Sequence, residues 1–202
     1  MLTACHDKPF LFPNDLRFGP DGALYMTDSG IGFTEWAHLN GEQRQQTQTD
    51  GRVYRIETVS RSIEVIDTGL AFANGIAFGS NNDLYVSTTI NGLVYRYPWK
   101  RGDVGSREEF GNVLNPEFPN VFRGPDGMAF GTDGNLYVTV SRQGDVAVLN
   151  PEGEVINRIL LDGPSPTNIA FGPRGTHTIF VTEQGIGQFE KHHVTCDGLP
   201  LL

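Results

Sequence analysis

Asn14, Asn74 and Asp126 share one setting in this chain, and their types and spacing could do chemistry. Each stands four places upstream of a Phe-Gly pair, in NDLRFG, NGIAFG and DGMAFG, and Thr167 holds the matching place in TNIAFG. Three of the four carry a side-chain carbonyl or carboxylate oxygen. Such hard donors, completed by water, make a usual set for Ca²⁺, Mg²⁺ or Mn²⁺. Three oxygens alone do not fill a shell. A second reading stays open here: Asn and Asp before Gly can begin strands through turn chemistry, as Asn74-Gly75 and Asp126-Gly127 would.

Other reactive-looking residues carry less. His192-His193 falls in a strand, where neighbours point to opposite faces, so the pair cannot serve one metal. Trp99-Lys100-Arg101 reads as a solvated hairpin turn. Cys5 and Cys196 sit in no zinc or redox spacing and are expected as free thiols. Neither a G-x-S-x-G elbow nor an H-E-x-x-H helix occurs, so hydrolysis here would need a metal.

The elements that must position these oxygens come from a repeat. NDLRFGPDGALYMTD (14–28), NGIAFGSNNDLYVST (74–88), DGMAFGTDGNLYVTV (126–140) and TNIAFGPRGTHTIFVTE (167–183) each read as a strand, a turn tetrad and a second strand. A third alternating run follows each copy: GRVYRIE, GLVYRYPW, GDVAVLN and GQFEKHHV. Then comes a fourth: SIEVIDTGL, REEFGNVL, EVINRILL and the shorter GLPLL. Phe18, Phe78, Phe130 and Phe171 are spaced by 60, 52 and 41 residues. A lone four-stranded sheet cannot bury both faces, whereas sheets stacked around an axis can. The expected fold is therefore all-β: a β-propeller of four-stranded antiparallel blades over approximately 12–70, 71–122, 123–165 and 166–202, forming one partial domain across 1–202. A sandwich gives no reason for the phrase to return with its polar residue at one strand position.

In a propeller the first strand of each blade lines the channel, so Asn14, Asn74 and Asp126 are expected together at one mouth. The loop between second and third strands returns to that mouth. The long polar insertion at 29–50, with Glu35, Trp36 and His38, is therefore expected beside Asn14, either as a lid or as a solvated loop.

Composition agrees with a turn-rich β protein: 25 Gly, 12 Pro and only 19% charged residues in 202. A formal charge of −9 argues against nucleic acid and suits a bound cation. No apolar run is long enough to span a bilayer, so no membrane partner is expected, and a soluble chain with the cytoplasm as first choice of compartment is.

At Pro13-Asn14-Asp15, Asn74-Gly75-Ile76-Ala77-Phe78 and Gly124-Pro125-Asp126-Gly127-Met128 the sequence resembles the gluconolactonase/regucalcin (senescence marker protein) family of six-bladed propellers. Pro166-Thr167-Asn168-Ile169-Ala170-Phe171 resembles its last-blade phrase. The resemblance implies a divalent cation, Ca²⁺ foremost with Mn²⁺, Zn²⁺ or Mg²⁺ as alternatives, and hydrolysis of a small lactone. It implies Asn74 and Asp126 as metal ligands, Asp126 also as general base, and Asn14 as a substrate or metal contact. Phe12 stands where some relatives carry a substrate-binding arginine, which implies a less polar substrate; Trp36 and His38 are further substrate-contact candidates. The family's first-blade Glu-Gly-Pro phrase is missing, as are about two blades, so the chain reads as N-terminally incomplete, with exposed blade edges that invite self-association. Two alternatives accompany the lactonase reading: a non-enzymatic calcium- or ligand-binding propeller, and an inactive fragment lacking that glutamate.

Overall fold

The computed structural model describes residues 2–100 and 102–201, which leaves Arg101 and the last residue of the GLPLL run outside it. Three successive four-stranded antiparallel sheets are built from neighbouring strands in chain order. The first holds Pro13–Phe18, Leu24–Asp28, Gly51–Ile56 and Ile63–Leu70. The second holds Ala73–Phe78, Leu84–Thr88, Leu93–Tyr97 and Glu108–Asn112. The third holds Gly124–Phe130, Leu136–Ser141, Asp145–Leu149 and Val155–Leu160. A fourth sheet has only three strands, Pro166–Phe171, Thr178–Glu183 and Gln188–His193. The first strands of successive sheets approach one another, which makes the sheets radial blades around a common axis.

The turn tetrads behave as their residues dictate. Gly22, Asn82, Gly134 and Gly175 take the left-handed conformation at φ between 68° and 84°. Asp21, Asn81 and Asp133 accept from the backbone N–H two residues on, at 3.1–3.2 Å.

Second strands such as Leu84–Thr88 are buried throughout because a blade covers each face. Core clusters accordingly lie between blades. Tyr25, Val53, Ile76 and Val86 join the first pair, Tyr85, Val94, Met128 and Val138 the second, and Tyr137, Val148, Ile169 and Val181 the third. The repeated Phe has a defined part in this: Tyr25 meets Phe78, Tyr85 meets Phe130 and Tyr137 meets Phe171 edge-on, at centroid distances of 4.9–5.1 Å.

One expectation is corrected in detail. The GLPLL run does not add a fourth strand to the last blade. Leu199 N–H donates to the Phe130 carbonyl, and Gly198 bridges Gly131, so this segment crosses beneath the third blade instead. The insertion at 29–50 contains two short helices, α1 (Phe33–His38) and α2 (Gly41–Gln46), the second opened by a capping box between Asn40 and Gln43. An N-terminal hairpin, Ala4–Cys5 with Lys8–Pro9, covers the outward face of the first blade by packing Cys5 and Phe10 on Met26, Tyr54 and Ile56. Cys5 and Cys196 are both free and buried.

Candidate metal centre at the propeller mouth

Every first strand is bulged at the same place. The ladder to the second strand slips between Pro13 and Leu16, Ala73 and Ile76, Pro125 and Met128, and Pro166 and Asn168. Asn14, Asn74, Asp126 and Thr167 occupy these bulges, where a strand twists and re-aims its side chains. The turn reading of Asn-Gly and Asp-Gly gives way to a steric one. Neither Gly75 nor Gly127 has positive φ. A Cβ on Gly75 would lie 2.3 Å from the Asp126 carbonyl oxygen, and one on Gly127 would lie 2.1 Å from Asn168 Oδ1. These glycines let neighbouring first strands close on the axis.

Hydroxyl groups one residue past the second strands fix the carboxamides. Asn14 Nδ2 donates to Ser29 Oγ at 3.0 Å, and Ser29 Oγ donates to the Ala73 carbonyl at 3.0 Å. One blade on, Asn74 Nδ2 donates to Thr89 Oγ1 at 3.0 Å, which donates to the Pro125 carbonyl at 2.9 Å. Each relay therefore runs from one site residue to the residue before the next. Because the hydroxyl proton is committed to a carbonyl, its lone pair must accept, which orients the amide nitrogen toward it and frees Oδ1. Asn74 is only 4% exposed, and its Oδ1 is buried without a hydrogen-bond partner. A buried acceptor left unpaired costs about 1–3 kcal/mol, so its retention points to a ligand.

Asp126 lies against this amide, partly exposed. Burial first, and the nearby Asp15 charge second, push its carboxyl up to about 8, while Asn74 and the Gly127 N–H oppose the shift. Asp15 was not singled out from the sequence. Its carboxylate accepts from Leu16 N–H at 2.8 Å and from Ile76 N–H at 3.2 Å, tying the first blade to the second, and burial raises its own pKa. It sits at the second bulge position, where the next two blades have glycine; that departure within the repeat was the available signal.

The structure thus brings Asn74 and Asp126 together, with Asn14 more exposed and joined to them through Ser29 and Ala73. A desolvated amide oxygen on a side chain that neighbours a carboxyl group has the donor chemistry of a hard divalent cation site. Phe12 and Trp36 go into an apolar cluster over the mouth with Ile31, Phe72, Ile90 and Phe122. Trp36 lies 4.2 Å from Phe72 between ring centroids, and Gln45 Nε2 donates to the Ile90 carbonyl, so the insertion is anchored across two blades. His38 is exposed, its Nδ1 hydrogen-bonded to the Thr34 carbonyl, and makes no hydrogen bond to Asn74 or Asp126.

Radial four-stranded blades with oxygen donors gathered at one mouth define a β-propeller with a candidate cation site. Residues 1–185 match the family model described as the SMP-30/gluconolactonase/LRE-like region, and the chain belongs to that family. It is 30% identical to a gluconolactonase of Zymomonas mobilis over 87% of this chain and 49% of that protein. It is 33% identical to a 6-deoxy-6-sulfogluconolactonase of Pseudomonas putida over 73% and 49%. The chain spans about half the length of these curated relatives. Among solved structures, regucalcin of Agrobacterium tumefaciens, described as a calcium-binding protein, superposes with a TM-score of 0.70 at 20% identity, covering 92% of this chain and 61% of that one. A gluconolactonase of Xanthomonas campestris gives 0.71 at 22% identity, over 95% and 60%. Among the described residues no helix is long and apolar enough to cross a membrane.

Proposed function

We propose that this chain carries the greater part of a divalent-metal site that hydrolyses the ester bond of a small lactone. The carrying observation is the buried, unpartnered Oδ1 of Asn74, whose side chain neighbours the Asp126 carboxyl, in a family whose similar members are named as lactonases. Asn74, Asp126 and Asn14 would hold the cation, Ca²⁺ before Mn²⁺, Zn²⁺ or Mg²⁺. A bound cation would polarise the lactone carbonyl and acidify water.

The chain's own residues supply the rest. Asp126, which a bound cation would hold ionised, is suited to take a proton from the attacking water and return it to the ring oxygen as the ester opens. Asn14, half of whose amide is occupied by Ser29, offers its free oxygen on the exposed side to orient substrate. Phe12 and Trp36 make the first-blade side of the mouth apolar and exclude water there. Titration calorimetry with Ca²⁺, Mn²⁺ and Zn²⁺, together with pH-stat assays of glucono-δ-lactone and an aliphatic δ-lactone, tests this reading. Metal binding is expected in the native chain and lost in Asp126→Asn; heats that persist in the variant would sink the assignment. The calcium-binding description of the similar regucalcin favours a second reading, cation binding without turnover. Metal heats without lactone hydrolysis would select it.

A further inference from the structure

The first strands carry Asn14, Asn74 and Asp126 near their beginnings and end four residues later at the opposite end of the channel, where a second cavity lies. A space of about 660 Å³ there is lined by Phe18, Phe78, Phe130 and Phe171, one from each blade. Three of these rings are held edge-on by a tyrosine of the preceding blade, so the walls are preformed. The C-terminal segment closes one side with Gly198, Leu199 and Pro200. It is fixed by Thr132 N–H, which donates to the Asp197 carbonyl at 2.8 Å, and by Leu199 N–H, which donates to the Phe130 carbonyl at 2.8 Å. A preformed, largely apolar space of this size with a few polar groups has the character of a small-molecule site.

The repeat serves as an internal control for those polar groups. Immediately before the Phe stand Ala77, Ala129 and Ala170 in three blades but Arg17 in the first, and all four line the cavity. Three places after the Phe stand Asp21, Asn81 and Asp133, each accepting a backbone N–H of its own turn, but Arg174 in the fourth blade. A guanidinium cannot accept, so the fourth turn is held from outside: both carboxylate oxygens of Asp197 take the Gly175 N–H at 2.8 Å. At these two repeat positions the departures are both arginines, and both arginines line the one cavity. Neither takes part in an ion pair among the described residues, although five other arginines do. Asp197 also lines the space, but its oxygens are engaged by the backbone of the fourth turn. In a chain of formal charge −9, two unpaired guanidinium groups beside an apolar wall offer their forked donors to an anion.

We propose that this far-end cavity binds an amphiphilic carboxylate, its apolar body among the Phe rings and its head group paired with the cavity's arginines. The site shares no residue with the candidate cation site and does not depend on the lactone reading.

The test is titration calorimetry in chelator at neutral pH, with decanoate as the probe and decanol as the same chain without the charge. Decanoate is expected to bind at one site, about tenfold tighter than decanol or better. Arg17→Ala with Arg174→Asn installs residues that the repeat itself uses at these positions, so the double variant should melt as the native chain does. In it decanoate affinity should fall to that of decanol while decanol affinity stays unchanged; each single variant reports which guanidinium takes the head group. Ala170→Trp, at an exposed lining position, should weaken both probes by obstructing the space. The absence of saturable decanoate binding, equal affinities for the two probes in the native chain, a preference that survives the double variant, or binding indifferent to Ala170→Trp overturns the proposal.

Discussion

At the scale of single residues, Asp126 binds its proton more tightly in the folded chain than in the unfolded one, about 8 against an ordinary 3.8. Between these values the native state keeps a proton that the unfolded carboxylate has released, so metal-free stability falls as pH rises from 4 to 8. Urea unfolding in chelator at pH 5 and pH 8 should show a loss on the order of 2 kcal/mol from this group, since partial exposure screens the full shift. Asp126→Asn should flatten the slope. The same proton must leave when a cation binds, so apparent Ca²⁺ affinity should rise with pH below 8, by up to about tenfold per unit. Asn74 makes a different case. Asn74→Ala removes one good hydrogen bond, to Thr89, and also an unpaired buried acceptor, and these effects oppose each other. Its unfolding free energy should stay within about 1 kcal/mol of the native value while metal heats vanish. A large destabilisation would mean that Oδ1 has a structural partner after all.

Among the elements, the bulged first strand matters most, because it aims the oxygens and brings the blades together. Gly75→Ala places a methyl group against the Asp126 backbone, which cannot yield as a flexible side chain would. A loss of about 2–3 kcal/mol is expected from overpacking, accompanied by weakened metal binding as Asp126 is displaced; chemical unfolding and calorimetry on one sample read both. The hairpins were legible beforehand because LYMTD, LYVST and their turn tetrads are local signals, and the polar position in each copy could be found by aligning on Phe. The bulge could not, since an extra unpaired residue hides within an alternating run, and with it went Asp15, whose role depends on reaching Ile76 in another blade. The helices α1 and α2 are six residues each, too short to show a helical period, and both lack a buried residue. The C-terminal run read as a strand from its composition, but its partner is the turn region around Gly131 rather than Gln188–His193.

For the whole molecule, an aromatic ladder ties each described blade to the next. The first three blades each lend a Tyr from the second strand to the Phe of the next, and among the described residues the two ends of the series have no such neighbour. Phe18, 47% exposed, has no preceding Tyr. Phe180 stands where Tyr25, Tyr85 and Tyr137 do, with no following Phe, and stacks instead on Phe189, which is 65% exposed. The N-terminal hairpin covers Met26, Tyr54 and Ile56 but leaves Phe18 open, while the outward face of the last blade keeps Ala170, Thr182 and Phe189 exposed. The two ends are complementary: the ring that one lacks is the ring that the other presents. A second copy placing its Phe18 on Phe180 would continue the series head to tail, an arrangement that need not close. Sedimentation velocity over a concentration series should accordingly show species above 22.2 kDa, growing with concentration rather than halting at a dimer. Phe18→Lys and Phe180→Lys, each alone, should return the chain to a monomer, since either substitution spoils one half of the same contact. A native chain that stays monomeric into the hundreds of micromolar would show that the exposed rings tolerate water, and that the open ends exert no attraction of their own.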